Sequence, residues 1–366
     1  MSNKKLLFIL SSFSGGGAER VTINLANHFS KKNVDVSFLV FKNNGEMRDE
    51  VDKNITVFEL GTKRTRESFF VLKREINKIQ PDIIFSTLGP LNILLLMIRN
   101  KLIGKPRIVC REANFLSKDK QRYTLPVRII LGILYKIYYP KADVVIAQCD
   151  EMKDEIESFC KYKNKSNVVR IYNPVDEKEI NKKKYSELLY NKKNKNLVSI
   201  GRLTYQKGHD MLLNIFHDIN QDISDVILHI IGVGELENDL RKQCKELGIE
   251  ENVNFCGYKE NPYPYLEQAD CLLLTSRWEG FPNVLIESMV CETPVVSFDC
   301  KSGPSEIIGD YPNLGAIIKC YDEKEFKIKV VNTLEKNITK EEFSENWQRF
   351  TLDKIAKEYE KILFVD

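Results

Sequence analysis

Short apolar runs that alternate with amphipathic, helix-length segments along most of the chain constrain the fold more than any other feature. In the first half, the candidate strands are residues 6–12, 34–41, 55–60, 82–87, 107–113 and 143–148. Helical patterns separate most of them, as in residues 18–32. Continuous apolar strands between helices are typical of parallel sheets that are covered on both faces. The first half is therefore predicted to be an α/β domain.

The same alternation begins again after residues 160–196, a Lys- and Asn-rich stretch that we interpret as a solvated connector. Beyond it, strands are predicted at 197–203, 226–232, 253–258, 271–276 and 294–299, with helices at 209–219, at 235–248 and after Pro282. The predicted domains are 1–173 and 174–345, followed by a helix at 346–366 that packs back on the first domain. The predicted fold class is two tandem doubly wound, Rossmann-like α/β domains that face each other across a cleft, where such domains bind ligands.

Composition and charge exclude several classes of protein. The 366 residues are enough for two domains, and 55 Lys and Arg nearly balance 52 Asp and Glu, which argues against a nucleic-acid binder. The nine cysteines form no CxxC pair, so a zinc site or a disulfide framework is not expected, and a reducing cytoplasm is favoured. The apolar run near the N-terminus is too short to span a membrane and is interpreted as the first strand.

Each half carries a glycine turn directly after a strand. The first contains Gly15, Gly16 and Gly17, whose backbone amides could approach an anion at a helix N-terminus, and the second is the GVGE sequence at 232–235. Neither completes the dinucleotide fingerprint, because Arg20 and Glu237 stand where a third small residue is needed, which argues against an oxidoreductase. A tight turn without a ligand remains the alternative for both.

Charged residues follow two strands of the second half. Arg202 and Lys207 flank a loop at a strand end, where a guanidinium fork and an ammonium group suit a diphosphate. Glu279 follows another strand, and Glu287 lies one to two turns into the helix that begins near Pro282. Carboxylates at these places can accept hydrogen bonds from vicinal hydroxyls, so together the residues suit a nucleotide sugar. The alternative is that all four are solvated surface residues.

Six segments in order give the chain a specific resemblance: SGGGAER, GRLTYQKG, GVGE, EGFPNVLIE, TPVV and SGPSEII. Together they make almost the whole chain similar to the retaining glycosyltransferases of family 4, which have two Rossmann-like domains, the GT-B fold. The resemblance implies an acceptor-binding first domain and a nucleotide-sugar-binding second domain.

The resemblance also implies roles for individual residues. Gly16 and Gly17 would approach the donor phosphate, Glu279 would hold the transferred sugar and Glu287 the ribose, while Arg202, Lys207 and Glu279 would be the catalytic group. The full expected donor-binding set is Gly16, Gly17, Arg202, Lys207, Tyr258, Glu279, Gly280, Phe281, Asn283, Val284, Leu285 and Glu287.

The acceptor side departs from the family pattern. Many members carry a histidine near the reacting sugar, but the chain has Arg111, Glu112 and Asn114 after the fifth strand and no histidine there. These three residues are candidates for contacting the acceptor or the donor sugar, and a simple strand-terminal turn is the alternative.

The expected reaction is transfer of a hexosyl or N-acetylhexosaminyl group from a UDP sugar to a lipid-linked oligosaccharide or polysaccharide acceptor in cell-surface glycan synthesis. The resemblance implies retention, by front-face attack in which the leaving phosphate takes the acceptor proton. Because the chain contains no Asp-x-Asp, we expect no catalytic metal and no cofactor. A sugar-nucleotide epimerase and a non-catalytic nucleotide-sugar-binding protein remain alternatives.

Two segments of the first domain, residues 63–74 and 120–141, interleave Lys and Arg with aromatic and aliphatic residues. This mixture suits an anionic membrane surface, so the protein is expected to be cytoplasmic and peripheral on the inner face of the cell membrane. The alternative is that these helices bury their apolar faces in the core.

Overall fold

The computed structural model describes residues 4–14, 16–61, 65–119, 124–160, 167–185, 187–301, 303–336 and 338–364, with the backbone alone for 65–67 and 119. The chain divides into two compact units. Unit 1 comprises Met1–Pro174 and Leu352–Asp366, and unit 2 comprises Val175–Thr351.

Unit 1 is built on a parallel sheet of seven strands in the order β3-β2-β1-β4-β5-β6-β7. The strands are β1 Lys5–Leu10, β2 Asp35–Val40, β3 Thr56–Glu59, β4 Ile83–Thr87, β5 Arg107–Arg111, β6 Val144–Ala147 and β7 Val168–Arg170. The helices of unit 1 are α1 Gly17–Ser30, α2 Thr65–Ile79, α3 Gly89–Ile98, α4 Leu116–Asp119, α5 Leu125–Tyr138, α6 Asp150–Cys160 and α15 Leu352–Leu363.

The core of unit 1 forms because its central strands are apolar on both faces. Residues 6–10 of β1 are fully buried, and the Phe8 ring lies 5.5 Å from that of Phe38 and 5.2 Å from that of Phe85. The C-terminal helix α15 joins this core through Ile355, Tyr359 and other residues at helical spacing. The end of the chain therefore completes unit 1.

Unit 2 is built on a parallel sheet of six strands in the order β10-β9-β8-β11-β12-β13. The strands are β8 Lys195–Ile200, β9 Val226–Ile231, β10 Val253–Gly257, β11 Cys271–Leu274, β12 Val295–Phe298 and β13 Gly315–Ile318. The helices are α7 Glu177–Lys183, α8 His209–Asp222, α9 Glu237–Leu247, α10 Tyr263–Glu267, α11 Asn283–Val290, α12 Pro304–Ile308, α13 Glu323–Leu334 and α14 Lys340–Trp347. Both strand orders are those of doubly wound Rossmann-like folds, which confirms the predicted fold class.

The prediction of one continuous connector at 160–196 is wrong in two places. Strand β7 lies inside it and pairs in parallel with β6, and α7 follows, its N-terminus capped by the Asp176 side chain, which accepts from the amide of Glu179. A strand of three residues beside a lysine-rich stretch has no periodicity to detect. Strand β13 was also missed, because its apolar run is short and begins at Gly315, where a β-carbon would collide with the Val295 carbonyl oxygen.

None of the helices in the described part of the chain is long and apolar enough to cross a membrane.

An ion pair joins the end of α3 to the amino end of β6 in the unit 1 sheet. Asp143 accepts hydrogen bonds from both terminal nitrogens of Arg99, at 2.8 and 2.7 Å, and one from the amide of Ile108 at 2.7 Å. Burial alone would raise the pKa of Asp143, but these hydrogen bonds lower it below its ordinary value of 3.8. The carboxylate is thus bound more favourably in the folded than in the unfolded chain.

We expect Asp143→Asn to lower the free energy of unfolding by about 1.5–3 kcal/mol, because it removes charge-assisted hydrogen bonds. Since the folded pKa is depressed, this stabilisation is present at pH values above 3.8 and is lost as the pH falls through the folded pKa. Denaturant unfolding at pH 7 and at pH 3 measures both effects. Asp222→Asn, which removes a surface ion pair with Lys327, is the control and should change little; equal effects of the two variants would contradict this account.

Candidate functional site

The candidate site lies at the carboxyl ends of β8 and β11, neighbouring strands at the middle of the unit 2 sheet. The strand order changes direction between them, because the chain moves outward through β9 and β10 on one side and through β12 and β13 on the other. Such a switch point leaves room for a ligand between the two loops that follow the strands. We call residues 201–208 the β8 loop and residues 275–282 the β11 loop.

An ion pair joins the two loops. Lys207 Nζ lies 2.7 Å from Glu279 Oε1, and the Ser276 hydroxyl donates to the same oxygen at 2.5 Å. The side chain of Glu279 is 7% exposed and that of Lys207 is 20% exposed, so solvent reaches the ammonium end more readily. The structure therefore brings together two residues to which the sequence assigned separate roles.

Glycines in the β8 loop make this geometry possible. Gly208 has a φ of +68°, which favours glycine, and a β-carbon there would collide with the Thr275 carbonyl oxygen of the β11 loop. At Gly201, a β-carbon would lie 3.0 Å from Cε of Lys207, so the lysine stem packs directly on the glycine backbone.

The GVGE turn after β9 is explained by backbone packing. A β-carbon on Gly232 would collide with the carbonyl oxygen of Gly201, and one on Gly234 would collide with that of Leu203. The amide of Leu203 also donates to Val233 at 3.0 Å. These contacts favour the interpretation of this turn as a support for the β8 loop, without a direct ligand contact.

Arg202 and the neighbouring His209 differ in their surroundings. Arg202 is exposed, and its side chain has no hydrogen bond or ion pair with any residue in the described part of the chain. His209 is buried at the start of α8, and burial lowers its pKa to about 4, with a further lowering by the charge of Lys207. At neutral pH the histidine is therefore uncharged, and Arg202 and Lys207 are the cations of the β8 loop.

The residues predicted around the start of α11 are mostly buried. Gly280, Phe281, Val284 and Leu285 are buried, whereas Asn283 and Glu287 are half-buried and Tyr258, just after β10, is exposed. The amide of Asn283 donates to Phe281 and that of Leu285 to Pro282, both at 2.9 Å. Those two amides are therefore engaged within the turn, and donor binding by Asn283 and Leu285 stays a prediction.

Two of the three acceptor-side candidates are buried inside unit 1. Arg111 donates to Thr87 Oγ1 at 3.1 Å and to Asn173 Oδ1 at 2.5 Å, and burial lowers its pKa.

The Glu112 carboxylate accepts from Asn92 Nδ2 at 3.0 Å and from the Tyr139 hydroxyl. Asn114 is half-buried, and its side-chain oxygen accepts from the amide of Phe115. Burial thus favours a structural role for Arg111 and Glu112, and Asn114 is the one of the three that retains solvent access.

The first glycine turn is only partly described, because Gly15 lies outside the described residues. Gly16 precedes α1 in an extended conformation, and Gly17 is its first residue. A β-carbon on Gly16 would collide with the carboxylate of Glu19, which folds back toward the helix start. No pattern in the sequence indicates this contact.

Two further polar residues of the site were missed in the sequence: Ser276, which donates to Glu279, and Arg277, which pairs with Asp210. Ser276 is the last residue of the apolar segment 271–276, and a polar residue at the carboxyl end of a strand is a sequence signal for a site residue. Within the described residues, no group of three or more His, Cys, Asp and Glu is arranged to hold a metal ion.

Comparisons with known proteins assign both halves of the chain. Residues 178–350 match the family described as Glycosyl transferases group 1, and residues 15–179 match Glycosyltransferase Family 4. An uncharacterized glycosyltransferase of Methanocaldococcus jannaschii is 30% identical over 72% of this chain and 68% of that protein.

Two other similar proteins have more informative names. A Campylobacter jejuni enzyme named as an N-acetylgalactosamine-N,N'-diacetylbacillosaminyl-diphospho-undecaprenol 4-alpha-N-acetylgalactosaminyltransferase is 29% identical over 84% of each chain. The crystal structure of Anabaena HepE with UDP and glucose has a TM-score of 0.81 at 19% identity, and the similarity covers 99% of this chain and 100% of HepE.

The fold and the matches together show that the protein is a two-domain, Rossmann-like glycosyltransferase of GT-B fold. The chain belongs to glycosyltransferase family 4, as its sequence motifs predicted.

Proposed function

We propose that the protein transfers a hexosyl or N-acetylhexosaminyl group from a UDP sugar to a lipid-linked oligosaccharide or polysaccharide acceptor, with retention of configuration. The observation that carries this proposal is the contact between Lys207 and Glu279 at the switch point of unit 2, with the exposed Arg202 in the same loop as Lys207. The names of two similar proteins support it, since one acts on a diphospho-undecaprenol-linked glycan and the other was crystallised with UDP and glucose.

In this proposal the two cations bind the diphosphate of the donor. Arg202 is exposed and offers a planar fork, whereas Lys207 is a point charge held by the Glu279 carboxylate. Negative charge grows on the diphosphate as the sugar leaves, so preorganised cations stabilise the transition state more than the ground state.

Glu279 is proposed to accept hydrogen bonds from hydroxyls of the transferred sugar. A carboxylate paired with Lys207 and hydrogen-bonded by Ser276 is a weakened nucleophile, so its environment suits binding better than covalent attack. We therefore propose front-face attack by the acceptor, with a diphosphate oxygen taking its proton. Half-buried Glu287, in α11, is proposed to bind the ribose hydroxyls.

Incubation with a panel of UDP and GDP sugars, with and without a lipid-linked glycan, tests the proposed function. Transfer, or slow hydrolysis of one donor, supports a glycosyltransferase. Release of an isomerised sugar nucleotide would instead show an epimerase, and binding without turnover would show a non-catalytic protein.

The two carboxylates should differ when replaced. We expect Glu287→Ala to weaken the binding of free UDP by about 1.5–3 kcal/mol, because it removes hydrogen bonds to the ribose. Glu279→Ala should lower kcat by a larger factor than it changes the affinity for UDP, because contacts to the sugar strengthen in the transition state. Calorimetry with UDP and steady-state kinetics measure both quantities.

Glu246→Ala is the matched control for these two variants, because Glu246 is an exposed carboxylate on α9 of the same unit. It should change neither quantity. Loss of UDP binding in Glu279→Ala with none in Glu287→Ala would reverse the two assignments.

We also propose that turnover needs no metal ion, because Arg202 and Lys207 supply the positive charge and the chain has no Asp-x-Asp. Activity with the preferred donor should therefore persist in excess EDTA. The measurement is the initial rate before and after chelation, with Mg²⁺ and Mn²⁺ added back. A rate that disappears and returns only with a metal ion would refute the proposal.

We propose that α5 places the protein on an anionic membrane, on the cytoplasmic side where nucleotide sugars are available. The helix leaves six large apolar side chains between 39% and 66% exposed: Leu125, Val127, Ile129, Ile130, Ile133 and Ile137. Arg128 and Lys136 are exposed on the same helix, and residues 124–142 contain no acidic residue. Exposed apolar residues with cations and without acids suit an anionic lipid surface.

The two segments expected to contact the membrane, residues 63–74 and 120–141, are described only in part. Residues 62–64 and 120–123 lie outside the described residues. In α5, Tyr135 is the one buried residue, which supports membrane contact over the core-helix alternative for this segment.

Replacing Ile129 and Ile133 with Ser should reduce binding to vesicles of anionic phospholipid, because two apolar side chains no longer insert. Arg128→Gln with Lys136→Gln should reduce it at least about tenfold, since each cation contributes on the order of 1 kcal/mol. Sedimentation with anionic and with zwitterionic vesicles measures the change.

Matched controls come from unit 2, where Ile328 on α13 is 50% exposed and Lys242 on α9 is exposed. Ile328→Ser and Lys242→Gln should leave vesicle binding unchanged. Unchanged binding in the α5 variants, or a concentration-dependent dimer that the α5 variants abolish, would overturn the membrane proposal.

A further inference from the structure

Arg277 connects the two loops of the candidate site through its side chain. Its guanidinium donates to both carboxylate oxygens of Asp210, at 2.9 and 2.5 Å, and to the backbone carbonyl of Tyr205 at 2.7 Å. The side chain of Arg277 is only 10% exposed. An arginine in the β11 loop is thus bound at three points by the β8 loop and the start of α8.

The backbone of the same loops is joined on both sides of this contact. The amide of Arg277 donates to the carbonyl of Gln206 at 2.8 Å, and the Gln206 side chain donates to the carbonyl of Trp278 at 3.0 Å. These bonds lie directly beside Lys207 in one loop and Glu279 in the other. The distance between the ammonium and the carboxylate therefore depends on how firmly the loops are held together.

An aromatic ring covers the guanidinium. The Tyr205 ring centre lies 4.0 Å from Cζ of Arg277, and the Tyr205 ring lies 6.2 Å from that of Trp278. Stacking keeps the guanidinium plane fixed and partly excludes water, which strengthens its hydrogen bonds to Asp210. The contact is thus a largely buried three-point clamp.

We propose that Arg277 is a positioning residue for the transfer reaction: through Asp210 and the Tyr205 carbonyl it holds Lys207 and Glu279 in the relative geometry that the donor requires. This inference rests on the proposed function. A shift of about 1 Å between groups that act on the diphosphate and the sugar is enough to reduce turnover about 100-fold. Lysine cannot replace the fork, since its single ammonium cannot reach all three acceptors in one plane.

The first test is Arg277→Lys, which keeps the charge and loses the fork. We expect kcat/KM to fall at least about tenfold. Arg241→Lys is the matched control, because Arg241 in α9 of the same unit also pairs with a carboxylate, that of Glu237, and lies 4.4 Å from the Phe255 ring centre. It should retain activity. A fully active Arg277→Lys variant would overturn the proposal.

A double-mutant cycle separates positioning from general loss of structure. If Arg277 acts by setting the geometry of the Lys207–Glu279 pair, Arg277→Lys should lower kcat/KM by less than about twofold in a Glu279→Gln background, where that ion pair is already lost. Equal fold-losses in both backgrounds would show that Arg277 affects stability or another group, and would overturn the proposal. Thermal midpoints of the single variants identify any variant that fails to fold.

Hydrogen exchange tests the clamp independently of the proposed function, because it needs no activity assay. Faster exchange of amides in the β8 and β11 loops of Arg277→Lys, but not of Arg241→Lys, supports the clamp, and unchanged exchange contradicts it. If the wild-type protein neither binds UDP nor transfers or hydrolyses any donor, the proposed function fails, and with it the positioning role in transfer. If the wild-type protein transfers normally but the effects of the two substitutions are additive, the positioning role is refuted and the proposed function stands.

Discussion

The ion pair between Lys207 and Glu279 is the interaction on which the rest of the candidate site depends. Removing two charges from water costs more than their attraction returns unless the geometry is good and other hydrogen bonds are present, so such a pair is weak evidence for stability. Here the carboxylate has a second donor in Ser276, while the ammonium keeps part of its exposure. The pair is therefore better explained by what it presents to a ligand than by what it adds to folding.

Backbone packing sets where this pair can form. The β8 loop packs on the glycine turn after β9 and on Thr275, whose hydroxyl donates to the Gly208 carbonyl at 3.0 Å. Glycine is needed at these contacts because neighbouring carbonyl oxygens occupy the space of a β-carbon. From sequence alone, a glycine that admits a phosphate and a glycine that admits another backbone are indistinguishable, since both depend on the same missing atom.

Most of the fold was predictable because the central strands are continuous apolar runs, whereas the two missed strands are short. The strand-end positions of Arg202, Lys207 and Glu279 followed from the same pattern. Their pairing did not, because Lys207 and Glu279 are 72 residues apart and their contact depends on the packing of two loops. Arg111 and Glu112 also end a strand, yet they are buried, since Thr87, Asn92 and other polar partners reach them from elements distant in sequence.

The two units differ in what their surfaces offer. In α8 of unit 2, Leu212, Leu213, Phe216 and Ile219 are buried against the sheet, whereas similar residues of α5 in unit 1 remain exposed. Because apolar burial contributes roughly 25 cal/mol per Å², leaving the apolar side chains of a helix in water is unfavourable unless another surface covers them. The proposed transfer from a soluble donor to a lipid-linked acceptor would need two such different surfaces. The distribution of charge in unit 2 and of exposed aliphatic residues in unit 1 matches that division.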